Sequence, residues 1–110
     1  MFTINDTTTA AINILGAIDA LESVLDRRSL DADVVMMTDQ ERELLTLGIR
    51  DTQLVLGMHR KPLPKVLFLL SLQVATSIGI SRPKASAALR EFRLAEELAE
   101  GLAAPAALVA

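Results

Sequence analysis

The sequence predicts an all-α domain, a small helical unit of about five helices that contains a helix-turn-helix. Three observations lead there. Nineteen Leu and 16 Ala stand against 7 Val in 110 residues, and Leu and Ala favour helix where Val does not. Ala11, Ile14, Ile18, Leu21 and Leu25 recur at spacings of three and four, which is one face of a helix. Five Gly and four Pro leave little material for the many turns of a small all-β fold. A chain of this length forms one domain.

The elements follow in order. Residues 7–27 form the first helix, capped by Asp6 or one of Thr7–Thr9. Its inner stripe is Ala11, Ile14, Ile18, Leu21 and Leu25, and Arg27-Arg28 complement its C-terminal dipole. Residues 29–37 are a loop, with Val34-Val35-Met36-Met37 packing down onto the next helix. Thr38-Asp39-Gln40-Glu41 is a capping box that starts the second helix. Gly48 bends or breaks this helix, and Asp51 caps a second piece. Arg60-Lys61-Pro62-Leu63-Pro64 ends it, and Pro64 opens the next helix. Short helices at 64–70 and 72–78, a turn at Gly79-Ile80-Ser81 and a long helix from 82 to about 101 complete the domain. The parts are an acidic stretch 1–59, a basic stretch 60–101 and an apolar tail 102–110.

Several function classes are excluded by composition. With no Cys and a single histidine, His59, there is no thiolate chemistry and no multi-histidine metal site. Three Phe without Tyr or Trp give no aromatic platform for bases or sugars. Asp31 and Asp33 lie on a loop with nothing to tune them, and no phosphate-cradling glycine loop is present. The expectation is a non-enzyme without cofactor or metal. The uncharged run from Val66 to Ser81 is 16 residues long, short of the ~20 that a membrane helix needs. Met1–Asp6 lacks the basic region of a secretory signal. The expectation is therefore a cytoplasmic protein with no membrane partner.

Residues 71–90 carry the most information. Ala75 is small where two helices approach, and Gly79 ends the first of them in a left-handed turn. Val74, Ile78 and Ile80 fill the space beneath. Ser81 caps the following helix, and Pro83 is tolerated in its first turn. Ala85, Ala88 and Leu89 then face inward, while Arg82, Lys84, Ser86, Ala87 and Arg90 face out. The stretch Gly79-Ile80-Ser81-Arg82-Pro83-Lys84-Ala85-Ser86-Ala87-Ala88-Leu89-Arg90 resembles the recognition segment of GntR-type winged-helix repressors, which read Gly-Val-Ser-Arg-Pro-Thr-Val-Arg-Glu-Ala-Leu-Arg. Ala85 stands where those proteins carry a β-branched residue, and no β-hairpin wing follows. A weaker echo, Met37 to Leu45, resembles the helix that opens LuxR-type DNA-binding domains. The resemblance implies a DNA-binding transcription regulator with its reading helix starting near Arg82.

Charge distribution supports the same reading. The chain carries a net −3. Residues 1–57 hold four arginines against ten acids, a net −6. Residues 58–93 hold seven bases against Glu91 alone, a net +6, and residues 94–110 are net −3. A basic block on a candidate helix-turn-helix is the electrostatic footprint of a phosphate binder. Arg82 and Lys84 sit at a helix N-terminus, where the dipole disfavours cations, so their presence calls for another reason. In this reading Arg82, Lys84, Ser86 and Ala87 enter the major groove of double-stranded DNA. Arg90, Arg60, Lys61 and Lys65 hold phosphates. A homodimer on a two-fold operator is expected, joined through the first helix or the apolar tail. The competing expectation is a phage-type or antitoxin-like protein that occludes a protein partner, with Asp19, Glu22, Asp26, Asp31 and Asp33 as its acidic face.

Overall fold

The computed structural model describes residues 4–27, 33–77 and 79–103. In chain order these form α1 (Ile4–Asp26), β1 (Val34–Met36), α2 (Asp39–Met58), α3 (Lys65–Thr76), β2 (Gly79–Ser81) and α4 (Arg82–Ala103). The chain is mostly helical, as its composition requires. Among the described residues, four helices and a two-stranded sheet replace the five helices expected. Arg28, Asp31, Ile78 and residues 104–110 lie outside the described residues.

The central helix is α1, with α2 on one side and α4 on the other. Both run antiparallel to it. Along α2, Asp51 meets Asn13, Gly48 meets Ala17 and Glu41 meets Arg27. Along α4, Arg82 reaches Leu25 and Arg93 reaches Glu22. The core between these helices is closed by Ile14, Leu21, Leu45, Leu67, Leu70, Ile80 and Phe92, all fully buried. The buried stripe of α4 is Ala85, Ala88, Phe92, Ala95 and Ala99. Four alanines around one phenylalanine let α4 lie close against α1 along its length. The first helix begins a turn earlier than expected, so Thr7–Thr9 lie within it and do not cap it. By length and composition, Thr7–Asp26 is the one described helix apolar enough to cross a membrane. Here it is the element on which α2 and α4 pack.

The capping box forms as expected. Thr38 Oγ1 accepts from the Glu41 amide at 3.1 Å, and a Glu41 carboxylate oxygen accepts from the Thr38 amide at 2.8 Å. Two other expectations for α2 are corrected. The helix runs unbroken through Gly48, and Asp51 caps nothing. A Cβ on Gly48 would stand 2.3 Å from Ala17 Cβ, so the glycine marks the crossing point of α1 and α2. Asp51 is buried within α2, accepting from Asn13 at 2.6 Å and from Arg50 at 3.1 Å. Its neighbour Thr52 is fully buried with no hydrogen-bond partner for its hydroxyl.

Residues 34–36 are strand, not loop. They pair antiparallel with β2, with Val34 opposite Ser81, Val35 opposite Ile80 and Met36 opposite Gly79. Gly79 therefore serves a different purpose from the one expected. It has no positive φ; a side chain there would press within 2.9 Å of Val34 Cγ1 and 3.3 Å of the Val35 carbonyl. Glycine is needed for close strand approach, not for a left-handed cap. The two short helices expected at 64–70 and 72–78 are one helix, α3, with Pro64 at its N-cap. Ser71 does not break it because its hydroxyl donates back to the Phe68 carbonyl at 2.5 Å, a local bond that helices tolerate. Ala75 is exposed, on the groove between α3 and α2.

Candidate nucleic-acid interface

The candidate interface is built at the end of the molecule where the strands meet the helices. Three arginines hold that end together. Neither α1 nor α3 has a basic residue in its last turn, so their terminal carbonyls lack a local cation. Each receives one from a distant part of the chain. Arg82, at the start of α4, donates to the Leu25 carbonyl at 2.8 Å and to the Arg27 carbonyl at 2.9 Å. Arg42, on α2, donates to the carbonyls of Val74 and Ser77. Arg27 does not serve its own helix as expected. It donates to the Met36 carbonyl at 2.7 Å and forms a two-pronged pair with Glu41 at 2.9 and 2.8 Å. The hydrogen bond from Arg27, helped by the Thr38 amide and opposed by burial, holds the Glu41 carboxyl below the usual carboxylate range. The same bond raises Arg27.

This geometry changes the reading of Arg82. Its place at a helix N-terminus seemed to require an external anion, but its guanidinium already closes the C-terminus of α1. The other expected residues stand as follows. Ser81 caps α4, accepting from the Lys84 amide at a long 3.4 Å. Ser86 and Arg90 are exposed on the outer face of α4, and Lys84 and Ala87 are half-buried at its edge. Ala85 and Ala88 point into the core. Arg60, Lys61 and Lys65 are exposed at the corner between α2 and α3. None of Arg60, Lys61, Lys65, Lys84 and Arg90 forms an ion pair among the described residues. Arg93, by contrast, leans back to Glu22 at 3.6 Å.

The corner has an unusual backbone. Arg60 has φ 56°. The Arg60 amide donates to Gly57 and the Lys61 amide to Leu56, at 3.0 and 2.9 Å. This is the Schellman closure of α2, with arginine in the left-handed position that glycine normally takes. Arg60→Gly should therefore raise stability by about 0.5–1 kcal/mol in chemical denaturation. An unchanged or lowered midpoint would mean that the arginine side chain makes a compensating contact.

Beside that corner, a shallow groove of about 430 Å³ runs along α4. Leu56, Pro62 and Pro64 form one wall, and Leu94, Ala95 and Leu98 the other. Lys61, Glu91 and Glu97 sit on its rim. On the opposite side of α4, Glu96 is pushed up by burial and then by the charges of Glu100, Glu97 and Asp19. Glu96, Glu100 and Asp19 thus lie near one another there. No family model matches the chain, and no curated protein or solved structure matches it.

Proposed function

We propose that the protein is a sequence-specific regulator of transcription that binds double-stranded DNA with the first turns of α4. We take α3 and α4 as the two helices of a helix-turn-helix, with β2 in place of the turn and β1 bracing it. One observation carries the reading. Lys84, Arg90, Arg60, Lys61 and Lys65 all reach solvent without an ion pair among the described residues, although acids outnumber bases in the chain. Cations left unpaired in an acidic protein suit phosphate oxygens. Arginine at the left-handed Arg60 position adds support, since backbone strain persists where the side chain has a task. In this reading Lys84, Ser86 and Ala87 face base edges. Arg60 and Lys65 hold phosphates, with Arg90 and Lys61 as further candidates. Arg82 positions α4 and reads nothing.

Selection of duplex fragments from a genomic pool at ~50 mM salt, followed by a gel shift, tests the proposal. Lys84→Ala combined with Lys65→Ala should weaken binding by about 10- to 100-fold and reduce the salt slope by about 1, the share of the phosphate contact at Lys65, with the melting temperature unchanged. Failure of the native protein to enrich any duplex would end the DNA reading.

A second reading, occlusion of a protein partner, is favoured by a different surface. Ile12 is 63% exposed on α1, with Leu15 and Asp19 following on the same face. Under that reading, substitutions at Ile12 and Asp19 would abolish function, and those at Lys84 and Lys65 would not.

A further inference from the structure

The outer face of α4 changes character half-way along. Its first turns carry Lys84, Ser86 and Arg90 and no acid. Its second half carries Leu94, 56% exposed, on the lip of the groove described above. Arg90 lies four residues before Leu94 and Glu97 three residues after it. At 100° per residue, all three point the same way. The rim around Leu94 thus holds two cations, Arg90 and Lys61, and two anions, Glu91 and Glu97. DNA would be repelled by the two carboxylates, and a partner of uniform charge would meet as much repulsion as attraction. A surface of balanced charge, with opposite signs on either side of one apolar knob, matches its own image under a two-fold rotation.

We infer that a second copy of this chain docks on this face, with the two α4 helices antiparallel about Leu94. That arrangement places the two Leu94 side chains against one another, each at the lip of its own groove. It brings Arg90 of each copy to Glu97 of the other, so the contact contains the same ion pair twice. Further out, Ala87 and Gly101 come opposite one another, and the space around Gly101 is open. Small residues there let the helix ends approach. The interface differs from the one expected from the sequence, which assigned it to the first helix or the tail. It claims Arg90, Lys61 and Ala87 for protein contact, so that Ala87 no longer faces a base edge, and leaves Lys84, Arg60 and Lys65 to DNA. It stands without the DNA reading, because none of its contacts involves nucleic acid.

Sedimentation equilibrium of the full chain up to ~100 μM tests it. The native protein should approach twice the 11.9 kDa chain mass. Leu94→Asp should raise the dimer dissociation constant at least ~10-fold, with the circular dichroism spectrum retained. Arg90→Glu alone should weaken the dimer about 10-fold, and adding Glu97→Arg should restore it to within about threefold of the native value. A native chain that stays monomeric overturns the inference. So does a folded Leu94→Asp variant that remains a dimer, or a charge swap that fails to restore association. Lys84→Ala with Lys65→Ala should leave the mass unchanged, so failure of the DNA reading and failure of the dimer are seen separately.

Discussion

Gly48→Ala should destabilise the protein by about 1–3 kcal/mol, although the same change in an isolated helix would be favourable by about 1 kcal/mol. The sign is decided by the crossing of α1 and α2. The new methyl carbon would stand 2.3 Å from Ala17 Cβ and 3.3 Å from the Asn13 carbonyl, where carbon atoms normally rest about 3.5–4.0 Å apart. Neither neighbour is the end of a flexible side chain, so the helices must separate. Separation also stretches the hydrogen bond from Asn13 to the buried Asp51 carboxylate, and a buried acceptor deprived of its donor is costly. Urea denaturation of Gly48→Ala and of Gly48→Ala with Ala17→Gly checks this. The second change should recover more than half of the loss, because it removes the clashing carbon from the other side. A single variant more stable than the native protein would show that helix propensity governs the position.

Arg82→Ala should cost about 2–3 kcal/mol, because it removes two charge-assisted hydrogen bonds to terminal carbonyls of α1, each worth about 1.5 kcal/mol or slightly less where solvent reaches them. Arg82→Lys should recover only part of that loss, since one ammonium does not reproduce the fork that spans Leu25 and Arg27. Thermal melts of the three proteins measure this directly. Lys84→Ala, two residues further along α4, should change stability by less than about 0.5 kcal/mol. If Arg82→Ala melts with the native protein, the arginine is free for another role. The comparison matters for any binding assay, because lost DNA binding in an Arg82 variant would report a loosened α1 and not a missing base contact.

These two residues also show what the sequence can and cannot reveal. The starts of α2 and α4 were legible because their signals are local: Thr38 with Glu41, and Ser81 with Pro83, act within one turn. The buried stripes of α1 and α4 were legible because their period is that of the helix. Gly48 was visible as an anomaly, but its meaning lies in Ala17, 31 positions earlier in the chain. Glycine in a helix reads as a break unless the neighbouring helix is known. The strands were illegible for the same reason. Val34–Met36 and Gly79–Ser81 are each three residues long, too short for an alternating pattern, and each exists only because the other lies beside it. Arg82 looked like a surface cation because the carbonyls it serves come from α1. Ser71 suggested a boundary, yet its hydroxyl is satisfied by the helix it was expected to interrupt. The exposure of Ser86 and Arg90 followed from the inward reading of Ala85, Ala88 and Leu89, of which the two alanines are buried and Leu89 is half-buried. The groove beside Leu94 needs Pro62 and Pro64 from another element, and was not.

The clamp at Arg82 has a consequence in time as well as in energy. The chain between Leu25 and Arg82 spans α2, α3 and both strands. The clamp on the last turn of α1 closes that whole loop, and loop-closure entropy delays such distant contacts. A contact made after the rate-limiting step acts on escape from the native state, not on arrival. Arg82 therefore works as a latch. Arg82→Ala should speed unfolding and leave the folding rate nearly unchanged, which stopped-flow measurement in urea checks.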